Sequence, residues 1–209
     1  IEFQNVSFNY PNRTKTLNNL NLKIPKNTLV GIKGETGSGK STIIKLIMGL
    51  LQPLSGKILL DGEELDISKN NIKDKISYVP QNFYILDDTI LENITFSEEI
   101  SKLDQKKIES SIKLSLLDEV VSSLPKGINT IVGATGKLLS GGQAQRLAIA
   151  RALYQDREIL ILDEATNALD SNKEKLIIQN ILNLKKTKTI IIISHNSDIL
   201  KVCDQILEI

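Results

Sequence analysis

The sequence predicts an α/β fold built around a mostly parallel β-sheet. Strand-like and helix-like patterns alternate along the 209 residues, as they do in sheets whose parallel strands are joined by helices. The apolar runs Ile159–Leu162 and Ile190–Ile193 contain no polar residue, which is typical of strands buried on both faces. Mixed strands near the N-terminus and a helical block in the middle of the chain predict two lobes, a core and an inserted helical subdomain.

The first part of the chain is predicted to be rich in strands. Residues 1–10 alternate apolar and polar side chains, as a half-exposed strand does. The segments 20–24 and 28–33 flank the turn Pro25-Lys26-Asn27 and therefore predict a hairpin. Shorter strands are predicted before two further turn signals, at 56–60 and 76–79.

The second part of the chain is predicted to alternate helices and strands. Between Thr89 and Leu124 apolar residues recur at three- and four-residue steps, which predicts helix, and Pro125 closes that block. The remaining predicted elements are two helices, at 144–154 and 173–184, and three strands, at 158–162, 188–193 and 206–209.

The composition limits which binding partners and which cellular compartment we expect for this chain. The formal net charge is +1, so no strongly basic surface predicts nucleic acid or anionic lipid as a partner. The single cysteine, Cys203, excludes an intrachain disulfide and fits a reducing compartment. The apolar runs are too short to cross a bilayer. Because the chain begins inside a predicted strand, we expect it to be part of a longer protein.

A glycine-rich segment between a predicted strand and a predicted helix carries the first functional signal. Its pattern is glycine, four residues, glycine, lysine and serine, which is that of the phosphate-binding loop. The glycines let successive backbone N–H groups face a polyphosphate at the positive end of the following helix. The lysine reaches the β- and γ-phosphates, and the serine hydroxyl can bind Mg²⁺. The predicted nucleotide-binding residues are Gly34, Glu35, Thr36, Gly37, Ser38, Gly39, Lys40, Ser41 and Thr42.

Two acidic residues end a predicted core strand. Asp163 and Glu164 follow the apolar run Ile159–Leu162, and ligands of parallel sheets bind at this carboxyl end of the strands. Beside a phosphate-binding loop, Asp163 is expected to hold Mg²⁺ and Glu164 to polarise an attacking water. A plain acidic turn is the alternative for such a pair taken alone.

A second anion-binding feature is predicted at Ser140-Gly141-Gly142-Gln143. A serine followed by two glycines and a helical run predicts a helix N-terminus with uncovered N–H groups. One triphosphate does not need two such sites from one domain, so we expect the second site to serve the nucleotide of another copy of the chain. Taken alone, the segment is an ordinary helix cap.

From Tyr10 to its C-terminus, the chain resembles the nucleotide-binding domain of ATP-binding-cassette (ABC) transporters. Six motifs in the family order carry the resemblance: the phosphate-binding loop, Tyr78-Val79-Pro80-Gln81, Leu139–Gln143, Ile159–Glu164, Ala168-Leu169-Asp170 and Ser194-His195. The resemblance implies that Gln81 contacts Mg²⁺ or the lytic water, that His195 contacts the γ-phosphate, and that Tyr10 stacks on adenine. His195 is the only histidine, and it follows a buried strand as Asp163 does, which predicts the same sheet edge for both.

The resemblance also implies an architecture and a mechanism. A P-loop NTPase core with an N-terminal antiparallel β subdomain would comprise residues 1–80 and 155–209, and a helical subdomain would comprise roughly residues 85–154. Two copies, or two paired cassettes, would pack head to tail around ATP. The domain would act with a transmembrane domain at the cytoplasmic face of the cell membrane and would bind no nucleic acid. The implied Mg²⁺ ligands are Ser41, Gln81 and Asp163, and the implied catalytic residues are Lys40, Gln81, Glu164 and His195.

Residues 85–94 and Val132-Gly133 resemble the exporter branch of the family, whose implied substrates here are a lipid, a lipid-linked glycan or a peptide. Three residues depart from the usual pattern. Ala134 stands where exporters usually carry glutamate, Ala144 where a basic residue is common, and Asn167 where serine is usual. The first departure bears on coupling to a membrane domain and not on ATP binding.

Two other function classes stay open on the sequence. A soluble cassette ATPase acting on the ribosome or on nucleic acid would share these motifs, although residues 43–138 leave no room for the long coiled coil of the DNA-repair type. A non-hydrolysing interaction module is disfavoured because both Glu164 and His195 are present.

Overall fold

The structure, a computed structural model, describes residues 1–11, 16–65, 72–96, 99, 102–133 and 139–209. Its strands are β1 (Glu2–Phe8), β2 (Leu17–Lys23), β3 (Leu29–Lys33), β4 (Ser55–Leu60), β5 (Glu63–Glu64), β6 (Ile76–Val79), β7 (Asp88–Thr89), β8 (Ile131–Val132), β9 (Ile159–Asp163), β10 (Thr189–Ile193) and β11 (Gln205–Glu208). Its helices are α1 (Lys40–Ile47), α2 (Ile90–Thr95), α3 (Gln105–Leu114), α4 (Asp118–Ser123), α5 (Gly141–Gln155), α6 (Ser171–Leu182) and α7 (Ser197–Leu200).

The chain divides into two compact units. Unit 1 comprises Ile1–Ile76, Arg157–Asp163 and Lys185–Ile209, and unit 2 comprises Ser77–Asp156 and Glu164–Leu184. In unit 1, β2, β1, β4 and β5 lie side by side in that order and pair antiparallel. The strands β11, β3, β10 and β9 also lie side by side, and all are parallel. The predicted α/β class, with a parallel sheet and a separate antiparallel sheet, is confirmed.

The predicted hairpin between β2 and β3 is wrong. β2 pairs with β1, where Leu22 lies opposite Phe3. β3 pairs in parallel with β10 and β11, where Val30 lies opposite Ile191 and Gln205. The turn at 25–27 therefore carries the chain from one sheet to the other. Its turn residues fix a local change of direction, but burial decides the partners, since β3 is buried at four successive positions and suits the interior of a parallel sheet.

The carboxyl ends of three parallel strands are level with one another. β9 and β10 are buried at every position, as their uninterrupted apolar sequences predict. Ile193, the last residue of β10, lies opposite both Ile32 of β3 and Asp163 of β9. The residues that follow these strands therefore emerge at one edge of the sheet.

Unit 2 is mainly helical and has its own core. The described residues of the predicted helical block at 89–124 include the short helices α2, α3 and α4, and the antiparallel pair β7 and β8 brackets them. The 15-residue helix α5 supplies much of the apolar surface. The buried side chains of this core are Ile85, Ile90, Ile94, Ile108, Leu117, Val120, Val132, Leu139, Ala144, Leu147, Ala150 and Tyr154. In the described part of the chain, none of the helices combines the length and the apolar character that a membrane span requires.

Candidate functional site

The predicted phosphate-binding loop connects β3 to α1 in unit 1. Gly37 and Gly39 have φ angles of 87° and 107°, a left-handed conformation that residues with a Cβ rarely adopt. Gly34 is closely packed, because a Cβ there would lie 2.6 Å from Ser38 Oγ and 2.5 Å from the Ile209 carbonyl oxygen. The loop is therefore shaped by glycine at the positions where the motif requires it.

Lys40 is held by the loop itself. Its Nζ donates hydrogen bonds to the carbonyl oxygens of Gly34 and Glu35, both at 2.7 Å, and the side chain is 8% exposed. A buried ammonium group requires such acceptors. The same two contacts place the charge inside the curl of the loop, where a polyphosphate would be bound.

Two further features of the loop suit an anion. The N-cap of α1 is Gly39, which has no side chain to accept a hydrogen bond from the first turn of the helix, and helix geometry leaves those N–H groups without acceptors inside the helix. The Ser38 hydroxyl oxygen is shielded from solvent and has no hydrogen-bond partner among the described residues. These donors, together with Lys40, match the chemistry of phosphate oxygens.

Asp163 and His195 leave the parallel sheet at the same edge. Asp163 is the last residue of β9 and is 6% exposed. His195 lies two residues beyond the end of β10 and is exposed, and Ser194 before it accepts a hydrogen bond from the Asn196 N–H at 3.0 Å. Because Asp163 lies opposite Ile193 in the sheet, the predicted common edge for Asp163 and His195 agrees with the register.

Tyr10, the predicted adenine-stacking residue, lies just beyond β1 and is half-buried. Its ring makes an edge-to-face contact with Phe8, with ring centroids 5.0 Å apart. Lys45 Nζ lies 6.0 Å from the Tyr10 ring centroid, and Lys45 belongs to α1, which follows the phosphate-binding loop. An adenine stacking on this ring stays a prediction.

Glu164 in unit 2 is the centre of a group of amide side chains. Its Oε2 accepts hydrogen bonds from Gln81 Nε2 at 2.8 Å and from Asn167 Nδ2 at 2.9 Å. Its carbonyl oxygen accepts one from Gln145 Nε2 at 3.4 Å. The backbone of Glu164 is left-handed, with a φ of 50°, which costs a residue with a Cβ about 1–2 kcal/mol. The structure thus brings together Gln81 and Glu164, which the sequence places 83 residues apart.

Ser140 lies at the N-terminus of α5 as predicted, where it is the N-cap, but the N–H groups of this helix end are not all uncovered. The Ser140 hydroxyl accepts a hydrogen bond from the Gln143 N–H at 3.3 Å, and the Gln143 side chain accepts one from the Ser140 N–H at 2.8 Å. This capping box satisfies two donors, so the expectation of a fully bare helix end is corrected. The N–H groups of Gly141 and Gly142 are the ones that helix geometry leaves without acceptors in the helix.

A cleft of about 420 Å³ lies beside this helix end within unit 2. Ser140–Gly142, Arg146, Ala168–Asp170 and Lys173 line it. Two of these lining residues are closely packed against each other, since a Cβ at Gly142 would lie 2.9 Å from the Ala168 carbonyl oxygen. The cleft therefore joins the Ser140 segment to Ala168-Leu169-Asp170, two of the six motifs.

Two polar residues of α5 that the motifs did not single out support these segments. Gln145 is 3% exposed, and its Oε1 accepts a hydrogen bond from the Ala168 N–H at 2.9 Å. Arg146 is 5% exposed, donates to the Gly142 carbonyl oxygen at 3.3 Å, and also donates to the carbonyl oxygen of Leu116. Desolvation lowers the pKa of Arg146. The sequence does contain a signal for these two residues. They are polar, yet they stand between the apolar residues Ala144 and Leu147 of α5, which are predicted to be buried.

The predicted site residues divide between the units. Unit 1 contains Tyr10, Gly34–Thr42, Asp163 and His195, and unit 2 contains Gln81, Ser140–Gln143 and Glu164. Asp163 and Glu164 are consecutive in the chain, so the boundary between the units falls inside the acidic pair. Ala134, the departure that bears on coupling, lies outside the described residues.

Comparison with known proteins identifies related sequences and folds. The model of the ABC transporter family matches residues 17–167. The chain is 38% identical, over 99% of its length, to the ATP-dependent lipid A-core flippases of Escherichia coli (strain K12) and Shigella flexneri, and it covers 36% of each.

A solved structure has the same fold over the whole chain. It is described as a bacterial Atm1-family ABC exporter with ATP bound, and it superimposes with a TM-score of 0.91 at 32% identity. The match covers 100% of this chain and 36% of that one. The chain thus spans about a third of the length of these relatives.

Proposed function

The chain belongs to the ABC transporter family as an ATPase domain of the exporter type, and on this basis we propose that its ATP hydrolysis drives transport of a substrate across a membrane. The observation that carries the proposal for hydrolysis is the environment of Glu164. Its carboxylate follows directly after the buried strand residue Asp163, and it is oriented by hydrogen bonds from two amide side chains. An acidic group oriented in this way is suited to accept a proton from water.

In the proposed reaction, unit 1 binds the triphosphate. The backbone N–H groups and the Lys40 ammonium bind the phosphates, and the Gly34 and Glu35 carbonyl oxygens already hold that ammonium in place. Tyr10 stacks on adenine, and His195 contacts the γ-phosphate. The bond from the γ-phosphorus to its bridging oxygen breaks as water attacks. Glu164 takes the proton of that water, and ADP and phosphate leave.

The oxygen donors Ser41, Asp163 and Gln81 fit Mg²⁺, which prefers hydroxyl, carboxylate and carbonyl oxygens together with phosphate. When bound, the ion neutralises charge on the phosphates. Asp163 meets the requirement for a carboxylate at the end of a core strand, where burial (6% exposed) would strengthen its attraction for a cation.

A second copy of the chain, or a paired cassette, completes the proposed site. Its Ser140–Gln143 segment would contact the γ-phosphate of the nucleotide bound by the first copy. The N–H groups of Gly141 and Gly142 suit this contact because the capping box occupies only the N–H groups of Ser140 and Gln143. ATP would then hold the pair together, and hydrolysis would release it.

The membrane context is proposed from the relatives. The named flippases and the ABC exporter structure support a transmembrane domain as partner, a place at the cytoplasmic face of the cell membrane, and a lipid, lipid-linked glycan or peptide as the substrate. A soluble ATPase acting on the ribosome or nucleic acid is not favoured by this similarity. The gene sequence upstream of Ile1 tests the context, since an exporter requires several apolar segments of about 20 residues.

The proposed hydrolysis is tested by replacing Glu164. In Glu164→Gln the side chain keeps its size and still accepts a hydrogen bond, but it cannot take a proton from water. We expect ATP turnover to fall by about 100-fold or more, the usual contribution of a general base, while ATP binding stays as in the wild type.

Phosphate release measures the turnover, and a fluorescent ATP analogue measures the binding. Glu119→Gln, on the exposed surface of α4, is the matched control and should turn over normally. Wild-type turnover in Glu164→Gln would show that another group activates the water.

A further inference from the structure

One oxygen of Glu164 accepts hydrogen bonds from two amide groups. Gln81 Nε2 and Asn167 Nδ2 approach Oε2 at 2.8 and 2.9 Å. Hydrogen bonds to a carboxylate are stronger than those between neutral groups. A carboxylate held at one oxygen by two donors cannot rotate freely about its last side-chain bond, so the direction in which Oε1 points is restricted as well.

The backbone beneath Asn167 is fixed by a turn. The Asn167 N–H donates to the Glu164 carbonyl oxygen at 3.4 Å, and the same oxygen accepts a hydrogen bond from Gln145 Nε2 at 3.4 Å. Gln145 also accepts a hydrogen bond from the Ala168 N–H at 2.9 Å. The nitrogen and the oxygen of the buried Gln145 amide thus both bind the segment 164–168 to α5. The Asn167 side chain therefore extends from a segment whose backbone is held in place.

The two residues that donate to Oε2 differ in the other contacts that the proposed reaction gives them. Gln81 is also proposed to bind Mg²⁺ through its amide oxygen or to contact the lytic water, so the position of its side chain has to suit those partners as well. Asn167 has no such second role in the proposed reaction. The serine that is usual at this position carries its hydroxyl on Cβ, one bond closer to the backbone than Asn167 Nδ2. The contact to Oε2 therefore depends on the longer amide of this chain.

We propose that Asn167 is a positioning residue for ATP hydrolysis, which holds Glu164 Oε2 so that the carboxylate faces the attacking water. The inference rests on the proposed function, because it assumes that Glu164 activates that water. Asn167 itself touches neither nucleotide nor water. Its effect is to keep the carboxylate in one orientation when Gln81 turns to its other partners.

The test is steady-state ATP hydrolysis by Asn167→Ala and Asn167→Asp. Asn167 is exposed, so both variants should fold with the thermal stability of the wild type. In Asn167→Ala we expect kcat to fall about tenfold, the equivalent of one lost hydrogen bond to a charged group, with KM for ATP unchanged. Asn167→Asp keeps the shape but places a second carboxylate against Oε2, so its kcat should fall at least as far.

Two further variants distinguish a positioning role of Asn167 from a purely structural one. Asn172→Ala, an exposed asparagine of α6 with no contact to Glu164, should keep the wild-type kcat. In a Glu164→Gln background, Asn167→Ala should lower the residual single-turnover rate no further, because the carboxylate to be oriented is gone. The same fractional loss in both backgrounds would overturn the proposal.

The remaining outcomes also distinguish the possibilities. A wild-type protein that does not hydrolyse ATP would refute the proposed function. A wild-type protein that hydrolyses ATP, together with an unchanged kcat in Asn167→Ala, would refute only the role of Asn167. A rise in KM that accounts for the loss in kcat/KM would assign Asn167 to nucleotide binding and would also overturn the proposal.

Discussion

At the scale of single residues, Lys40 shows how the proposed phosphate-binding group is held in place by the loop itself. An ammonium group that is 8% exposed would be costly without acceptors. The Gly34 and Glu35 carbonyl oxygens supply them at 2.7 Å. These oxygens hold the charge at the place where phosphate oxygens would compete for it, so little side-chain freedom is left to lose on binding.

Cys203 gives a prediction that depends on pH. Burial, with a smaller contribution from Asp204, raises the pKa of its thiol from 9.0 to about 11. The folded state therefore holds this proton more tightly than the unfolded state. Its contribution to stability is present below pH 9 and is lost as the pH rises from 9 towards 11. Relative to Cys203→Ala, the wild type should lose free energy of unfolding over this interval.

Urea unfolding of both proteins at a series of pH values measures this difference. Because the thiolate is the reactive form, the native protein at neutral pH should also react with Ellman's reagent about 100-fold more slowly than the unfolded chain. The chain has one cysteine, so the signal belongs to Cys203. Equal rates in the two states would show that the thiol is neither buried nor shifted.

The motif residues could be predicted one by one, but their supporting contacts could not. Gly37 and Gly39 have the positive φ angles that the loop pattern implies, and Asp163 lies at the buried strand end that its position implies. Gln145 and Asn167 contact Glu164 only because residues 164–168 form a turn against α5. That turn depends on tertiary contacts between segments distant in sequence, which no local pattern encodes.

At the scale of secondary structure, the sequence predicts element types better than element partners. The apolar runs of β9 and β10 predict buried parallel strands, and both are buried throughout. The predicted hairpin was wrong because the turn residues at 25–27 do not determine which sheet β3 joins. The start of α5 does carry a local pattern, since Ser140 followed three residues later by Gln143 is the sequence of a capping box.

Arg151 of α5 organises an irregular segment of unit 2. Its guanidinium donates to the Asn93 carbonyl oxygen at 2.7 Å, to Asn93 Oδ1 at 3.0 Å and to the Tyr84 carbonyl oxygen at 2.9 Å. Asn93 is fully buried, and its amide donates to the carbonyl oxygens of Leu86 and Thr89 at 3.1 and 2.9 Å. Arg151 also lies over the Phe96 ring, 4.9 Å from its centroid. One arginine thus connects α5 to the chain that follows Gln81.

We expect Arg151→Lys to lower the free energy of unfolding by about 2–3 kcal/mol, because an ammonium group cannot reach three acceptors in the planar arrangement of a guanidinium. Denaturant unfolding followed by circular dichroism measures the loss. Arg157→Lys, at an exposed site, is the matched control and should stay within about 0.5 kcal/mol of the wild type. Equal stabilities for the two variants would mean that the guanidinium of Arg151 stabilises this segment no more than an ammonium group does.

At the scale of the whole molecule, the motifs are distributed over two units of different character. Unit 2 includes residues 164–184, although they follow the core strand β9 in the chain. Asn180 of α6 explains part of this, because its Nδ2 donates to the Leu114 carbonyl oxygen of α3 at 3.0 Å. This contact joins α3 and α6, which are far apart in the sequence.

The proposed pairing of two copies gives a prediction for the nucleotide-bound assembly. In Glu164→Gln, bound ATP is not consumed, so the ATP-bound pair should accumulate and appear as a dimer in size-exclusion chromatography. Gly141 allows a test of the contact across the pair. A Cβ at Gly141 would meet only Ala168 Cβ, at 4.0 Å, and an acidic residue in the first turn of a helix favours folding by about 0.3–1 kcal/mol.

Adding Gly141→Asp to Glu164→Gln should therefore leave folding and each chain's own ATP binding intact. It should weaken the ATP-dependent dimer by about 100-fold, because in the proposed pairing the new carboxylate would face the γ-phosphate of the partner's nucleotide. Gly141→Asn, equal in size but uncharged, should keep most of the dimer. Analytical ultracentrifugation measures the dimer, and equilibrium dialysis measures ATP binding. If the Asp variant dimerised as well as the Asn variant, Ser140–Gln143 would not contact the nucleotide of a second copy. If it lost ATP binding as a monomer, this segment would serve the chain's own nucleotide.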